Sequence, residues 1–484
     1  MNTTLEQTPP SEAPTTTDTV TREVSEETLP DLKTSTASKK TSPPQTALQR
    51  LVAYCDLISR SGEFTRVAGT VTEIGATHYT VAGLGTRARL GDIVTVTCDG
   101  REKSGEIIRL QPGIATVKPF ETLQTARLGE EAWLKGQLTL RPHENWKGRT
   151  LNALGEPIDH QGRLQQGTKS YERDRPPPPP FDLGKISKPL KTGVRVIDLF
   201  TPLSTGQRIG IFAGSGVGKS SLLSMLAHGK SFDTIVLALV GERGREVGHF
   251  LEDVFGSEGE RTVAVVASGA ESAMMRRLAP QTAMCVAEYF RDQGEEVLLV
   301  IDSLTRYAHA SREVGLAAGE PPVARGFPPS VFSDLPRLLE RAGPGTSGSA
   351  SITGVFSVLV DGDDHNDPIA DAIRGTLDGH IVLDREIADQ GRYPAVNIQT
   401  SISRLAENSW TKDQQGLISK LKSLVARFEE TRDLRAVGAY EPGSDAELDE
   451  AVGIIPKLYE AIKQLPSDRS DIEPFQDLAT RMSG

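Results

Sequence analysis

The stretch RIGIFAGSGVGKSS, Arg208–Ser221, constrains the fold more than any other part of the chain. An apolar run leads into a glycine-rich turn, and the turn opens KSSLLSMLAHG, a stretch with helical character. That order reads as strand, phosphate-binding loop, helix, in the pattern A/G-x-x-x-x-G-K-S with Ala213 in first place. Each residue type has a physical reason. Gly214, Gly216 and Gly218 let the backbone turn tightly. The loop from Gly214 through Ser215, Gly216, Val217 and Gly218 to Lys219, Ser220 and Ser221 can then present N–H groups to phosphate oxygens. The N-terminus of the helix adds free donors and a favourable dipole. Lys219 is expected to reach β- and γ-phosphates, and the Ser220 hydroxyl to ligate Mg²⁺.

The surroundings agree with this unit. RIGIFAG, TIVLALV, TVAVVAS, EVLLVID, ITGVFSVLV and HIVLD are near-continuous apolar runs separated by helical stretches. Strands that are apolar at every position belong to a sheet covered on both faces, so the expected fold class is α/β. EVLLVIDSLTR ends its strand in Asp302, where a carboxylate can hold Mg²⁺ or its waters.

The rest of the chain divides by composition. Its 484 residues predict two to four domains, and 37% hydrophobic with 25% charged residues predicts an ordinary soluble core. Residues 1–46, rich in Thr, Ser, Pro and Glu, lack the apolar surface to offset ordering entropy and are read as a disordered tail. Over 47–62, Leu48, Leu51, Val52, Cys55 and Ile58 share one helical face. Short β-rich runs over 63–140 (VAGTVTEI, HYTVAGL, GDIVTVTCDG, EIIRL, GIATVKPF) predict a small β-barrel. The region 141–190, with RPPPPP at 175–180, is read as a linker, 191–410 as the α/β core and 411–484 as a helical domain. Ser444 with Glu447 reads as a capping box before LDEAVGIIPKLYEAI.

Composition also excludes. A net charge of −11 leaves no basic footprint for nucleic acid. Cys55, Cys98 and Cys285 have no metal-ligand spacing, which predicts reduced thiols. No apolar run approaches the ~18–20 residues of a membrane span, and the N-terminus lacks a secretory pattern. A cytoplasmic protein is expected.

VGERGREVG, Val240–Gly248, then asks what Glu242 is for. It follows the strand after the cradle helix, and carboxyl ends of parallel strands face the ligand crevice. Nucleotide hydrolysis needs a group that orients the attacking water, and Glu242 fits it. A surface salt-bridge cluster with Arg243 and Arg245 is the competing reading.

GRTLNALGEPID (148–159), KTGVRVIDLFTPLSTGQRIGIFAGSGVGKS (191–220) and PAVNIQTSIS (394–403) make Arg66 to Leu465 resemble the catalytic subunits of rotary ATPases. Within that family, 309–343 and 358–395 are similar to type III export ATPases, and to the flagellum-specific ones above all. The resemblance implies a RecA-like P-loop core between an N-terminal β-barrel and C-terminal helices. It implies that Glu242 is the catalytic carboxylate and that Arg243 contacts the γ-phosphate. It further implies that Tyr393 packs on adenine and that Arg404 is an arginine finger serving a neighbouring subunit. Carrying both Glu242 and Arg404, such a chain is expected to work as a homohexamer. Arg374 is expected to pair instead with Asp371 or Asp367, and a salt bridge to Glu407 is the competing reading for Arg404.

The implied activity is Mg-ATP hydrolysis at the flagellar base, peripheral to the inner membrane. The implied partners are a stator-like regulator, a coiled-coil stalk protein, the export gate and export chaperone–substrate complexes. An injectisome ATPase, an ion-translocating ATPase subunit and a nucleic-acid translocase are the alternatives.

Overall fold

The computed structural model describes residues 66–484 apart from 123–125, 187, 347–349, 361–366, 469–471 and 484. The tail expected over 1–46 and the helix expected over 47–62 lie outside the described residues.

Six antiparallel strands close into a barrel, in the order Ala68–Ile74, Tyr79–Ala82, Ile114–Pro119, Arg101–Gln111, Asp92–Cys98 and Glu131–Gln137. Val71, Tyr79, Val81, Val94, Val96, Ile107 and Val117 fill its interior. The run EIIRL is the second half of the longer strand Arg101–Gln111. The sixth strand, EAWLKGQ, was not among the expected runs: it buries only Ala132 fully, so its period is faint.

The α/β core is one sheet. Its strands run in the order Ile402–Ser403, Gly379–Leu383, Arg208–Ala213, Ser351–Leu359, Val297–Asp302, Thr234–Val240, Thr262–Ala267 and Arg149–Leu151. A ninth, Gly343–Pro344, pairs beside Ser351–Leu359. From Gly379–Leu383 to Arg149–Leu151 every pairing is parallel. All seven residues of Thr234–Val240 are buried, and alternate ones feed two cores. Val236, Ala238 and Val240 pack on the face covered by the helix Ala273–Asp292. Ile235 and Leu237 share the other face with Leu222 and Leu226 of the cradle helix. Both sides are thus dry, as strands without a polar period require.

The segment 141–190, read as a linker, is woven into this core. Arg149–Leu151 is the sheet's edge strand, and Trp146 and Tyr171 are fully buried. Arg149 donates to both oxygens of Asp159, at 2.7 and 2.8 Å, which holds the Asp159 carboxyl well below the usual range. A three-residue strand is too short to announce itself by period. The proline run 175–180 itself forms no helix or strand.

After Trp410 come the helices Lys412–Glu430, Ala446–Ile462 and Pro474–Ser483. Ile418, Leu421, Leu424, Ile455 and Leu458 join the same apolar cluster as the cradle helix, so the C-terminal helices pack on the sheet's second layer. The box expected at Ser444 and Glu447 does not form. Asp445, one residue on, accepts the Glu447 and Leu448 N–H groups, while the Ser444 hydroxyl turns back to the Glu441 carbonyl. A carboxylate at that position satisfies two free donors at once. The true capping box is Thr411 with Gln414, ahead of Lys412–Glu430. Cys98 and Cys285 are buried, and burial pushes the Cys285 thiol up to about 11.

Candidate active site

Three strands end at one edge of the sheet, and their last residues meet there. Arg208–Ala213 runs into the phosphate loop, Thr234–Val240 into Glu242, and Val297–Asp302 ends on Asp302 itself. The register pairs Leu239 with Asp302, which brings the two carboxylates to the same side of the loop. Between strand and Glu242 stands Gly241 at φ 72°, where a side chain would also strike the stem of Arg306, 3.0 Å away.

The loop itself uses left-handed backbone at Gly216 (φ 80°) and at Gly218 (φ 93°, ψ 20°), which glycine alone adopts without strain. Gly218 caps the helix Lys219–Ala227, leaving the first N–H groups of that helix open. Val217 is buried and anchors the loop, whereas Ser215, Ser220 and Ser221 are exposed on it. Lys219 donates from Nζ to Glu242 Oε1 at 3.3 Å and forms an ion pair with Asp302. Asp302 also accepts the Ser357 hydroxyl at 2.5 Å. All three charged groups are largely buried, with side chains 11%, 16% and 7% exposed for Lys219, Glu242 and Asp302. In a poorly hydrated site such charges act strongly on any bound anion.

Tyr393 stands beside the loop. A Cβ on Gly218 would lie 3.6 Å from its ring, and 42% of the residue is open to solvent. The structure adds two arginines that the sequence did not single out. Arg385 donates from Nη2 to the Ser215 carbonyl at 3.3 Å. Arg306 lies over Gly241, exposed and next to Glu242. Arg306 closes the stretch EVLLVIDSLTR, on the helix that follows Asp302, and Arg385 lies within 358–395, but neither was assigned a role there.

Arg243 and Arg404 are not brought to the cradle. Arg243 caps the helix Gly244–Glu258 with its side chain 88% exposed, 3.6 Å from Glu246. Arg404 follows the edge strand Ile402–Ser403, and its backbone N–H donates to the Asp378 carbonyl at 2.9 Å. Asp378 in turn accepts Nε and Nη2 of Arg208, at 3.1 and 3.0 Å. Arg404 is therefore level with the amino end of the six-residue strand whose carboxyl end carries the loop. At about 3.3 Å per residue the separation is roughly 20 Å, beyond the reach of a side chain. Its side chain is exposed and makes no ion pair with Glu407 or any other group among the described residues.

The pairing expected for Arg374 does not form among the described residues either. Asp367 caps its own helix, Pro368–Thr376, and pairs with Arg325 at 3.3 Å. Arg374, two turns further on, lies over the Phe212 ring at 4.7 Å. Burial, then Arg374 and Arg404, hold the neighbouring His380 below its ordinary value. The donor set near Lys219 suits a hard cation: the Ser220 hydroxyl and the Asp302 carboxylate are oxygen ligands. No cluster of three or more His, Cys, Asp or Glu that could hold a metal ion occurs among the described residues. No described helix is long and apolar enough to cross a membrane.

Residues 193–403 match the ATP synthase alpha/beta family, nucleotide-binding domain, and residues 410–479 the T3SS EscN ATPase C-terminal domain. The flagellum-specific ATP synthase of Agrobacterium fabrum is 55% identical over 416 residues, 86% of this chain and 88% of that one. The assembled ATPase EscN from the enteropathogenic E. coli type III secretion system has a TM-score of 0.80 and 39% identity, covering 86% of this chain and 100% of EscN. EscN in complex with its central stalk EscO has a TM-score of 0.78 at the same identity and the same coverage of both chains. Identity this high across nearly the whole of both proteins goes beyond a shared fold: the chain belongs to the ATP synthase alpha/beta family, among its flagellar and type III secretion ATPases.

Proposed function

We propose that this ATPase is the engine of a flagellar protein-export apparatus, hydrolysing Mg-ATP as a ring of six identical subunits. The observation that carries the hydrolytic reading is the meeting of Lys219, Glu242 and Asp302 beside the glycine loop. Lys219 neutralises the β- and γ-phosphates. Glu242 holds and polarises the attacking water, and the dry setting strengthens its pull on that water. Ser220 and Asp302 supply oxygen ligands for Mg²⁺, which when bound adds positive charge at the same phosphates. Tyr393 receives the adenine ring, and Arg243 turns inward from the mouth of the site to the γ-phosphate.

Arg404 completes the site from outside. It cannot reach its own cradle, so a finger role requires a second copy whose cradle faces this edge. A chain holding both Glu242 and Arg404 can supply every part of a ring of identical sites. The flagellar assignment rests on 55% identity to the Agrobacterium protein, against 39% to EscN. A stalk partner is supported by EscN's solved complex with its central stalk EscO; that it is a coiled coil belongs to the present reading. The stator-like regulator, the export gate, chaperone–substrate complexes and a cytoplasmic place at the inner membrane belong to the same reading.

Glu242→Gln tests the chemistry. Glutamine keeps size and hydrogen bonding but not the negative charge, so ATP binding stays and turnover falls by about 10²–10⁴-fold, the usual contribution of a positioned base. Near-normal turnover returns Glu242 to a salt-bridge role. In a strain lacking this gene, loss of flagellar export rescued by wild type and not by Glu242→Gln supports the biological half; normal export in that strain overturns it.

A further inference from the structure

Where the C-terminal helices rejoin the core, one side chain ties three segments together. Gln464 lies just beyond the helix Ala446–Ile462 and is 3% exposed. Its Nε2 donates to the carbonyls of Gly193 and Asp468, both at 2.7 Å, and its Oε1 accepts the Arg195 N–H at 2.9 Å. One donor and two carbonyl acceptors leave a single orientation for the amide, which satisfies all three. The side chain thus pins its own backbone against the start of the core. That backbone spends its N–H on the carbonyl of Tyr393, at 2.8 Å.

Arg195 reinforces the joint. It donates from Nη1 to the Lys463 carbonyl at 2.5 Å and from Nε to Asp477 at 2.9 Å, in the last helix, and both charged side chains are under 10% exposed. Residues 193, 195, 463, 464 and 477 therefore form a joint between the core and the C-terminal helices, with Arg195, Gln464 and Asp477 buried in it. Among the described residues, Tyr393 is the one beside the phosphate loop that is fastened to it.

We infer that Gln464 is a positioning residue for nucleotide binding: it holds Tyr393 over the phosphate loop and makes affinity for the base answer to the C-terminal helices. The inference rests on the reading of Tyr393 as the adenine contact. The ring meets the loop at Gly218 while its carbonyl is held from behind, so a shift of Gln464 moves the ring relative to the phosphates. Nothing in the joint touches Lys219, Glu242 or Asp302, so it bears on the base and leaves phosphate chemistry alone.

The full-length enzyme tests this with Gln464→Ala, Gln464→Glu, Tyr393→Ala and the Gln464→Ala/Tyr393→Ala double variant. The Glu variant keeps the acceptor for Arg195 and loses both donors, so a poorly folding Ala variant does not decide the matter, and the Glu/Tyr393→Ala pair then closes the cycle. Gln464→Ala is expected to raise KM for Mg-ATP about tenfold with kcat changed less than about twofold, the order of loosening one base–aromatic stack. Inhibition by inorganic tripolyphosphate, which has phosphates and no base, should be unchanged. On the Tyr393→Ala background the substitution should add nothing further. A wild-type KM in the folded Gln464 variants overturns the inference, and so does a full effect that persists without the Tyr393 ring. Weakened tripolyphosphate inhibition also overturns it, since the joint would then act on the phosphate loop. An unchanged KM in Tyr393→Ala removes the adenine reading and the inference together, whereas a raised KM there beside a silent Gln464→Ala removes the inference alone.

Discussion

At the carboxyl end of the strand Arg208–Ala213, Lys219 is 11% exposed and lies against two carboxylates. At the amino end of the same strand, level with Arg208, Arg404 is exposed and has no ion-pair partner among the described residues. Both ends of one strand hold a cation, and they hold it in opposite ways. A buried ammonium must have its counter-charges within the subunit, because the cost of desolvation is otherwise too high. An exposed guanidinium needs none, because water solvates it. The backbone under Arg404 is nonetheless fixed, through Asp378 and the paired Arg208. A rigid base under an unpaired charge suits a surface that the single subunit does not contain. The cradle's lysine finds its counter-charges within one chain; on the reading proposed above, the arginine edge meets its counterpart on another.

The largest effect is expected at Lys219. Lys219→Ala removes the internal cation and should abolish tight Mg-ATP binding as well as hydrolysis, measured by calorimetry and phosphate release. Wild-type binding would mean that the cradle does not depend on its own charge. Arg404→Ala should act at the other end only: binding stays, and hydrolysis falls by about 10³–10⁵-fold, the range for arginine fingers. Mixing it with Glu242→Gln sharpens the point. Where hexamers co-assemble from equal amounts, about a quarter of interfaces pair an intact Glu242 with an intact Arg404, so partial activity returns if the arginine works across subunits. Demonstrated co-assembly without recovery would assign Arg404 to its own chain.

Two smaller effects separate buried from exposed pairing by stability alone. Arg149 and Asp159 are a buried pair at the far edge of the sheet, 10% and 9% exposed. Asp159→Ala leaves Arg149 unpaired and should cost about 3–5 kcal/mol at neutral pH. The folded Asp159 carboxyl is held below its unfolded value by Arg149. Its contribution is therefore present above the unfolded value near 3.9 and is lost as pH falls towards the folded one. The deficit of the variant against wild type in urea melts should shrink below about pH 4. A constant deficit would mean that packing, rather than charge, holds that edge. The smallest effect is expected from Glu246→Gln, which removes the exposed partner of Arg243. No measurable shift in Tm is expected, since exposed pairs contribute little. A clear drop would mean that Arg243 is held for structure and is not free to turn inward.

The parts of the site that were legible in the sequence are those made by neighbours in the chain. Three glycines and a lysine between an apolar run and a helical one specify a phosphate loop wherever they fold, because the turn and the helix N-terminus are local. Asp302 and Glu242 were legible one step further, since one ends and the other closely follows a strand that is apolar almost throughout. The sheet's two faces were legible too, as strands without a polar period leave no solvent side. The edge strand Arg149–Leu151, the barrel strand Glu131–Gln137 and the Asp445 cap were not, because short or half-polar segments carry no period of their own.

Only the tertiary structure decided where distant residues stand relative to the cradle. Arg404 lies in the specific stretch TSISR, yet nothing local says that its strand returns antiparallel to Gly379–Leu383, at the end of the sheet away from the loop. Arg374 has two aspartates on its own helix and lies on Phe212 instead. Gln464 bonds Gly193 and Arg195, 271 and 269 residues away. Motif chemistry is set by bonds along the chain and survives any packing that keeps the loop intact. The distances between motifs come from strand order and from which apolar faces cover each other, and that is settled by burial summed over the whole fold.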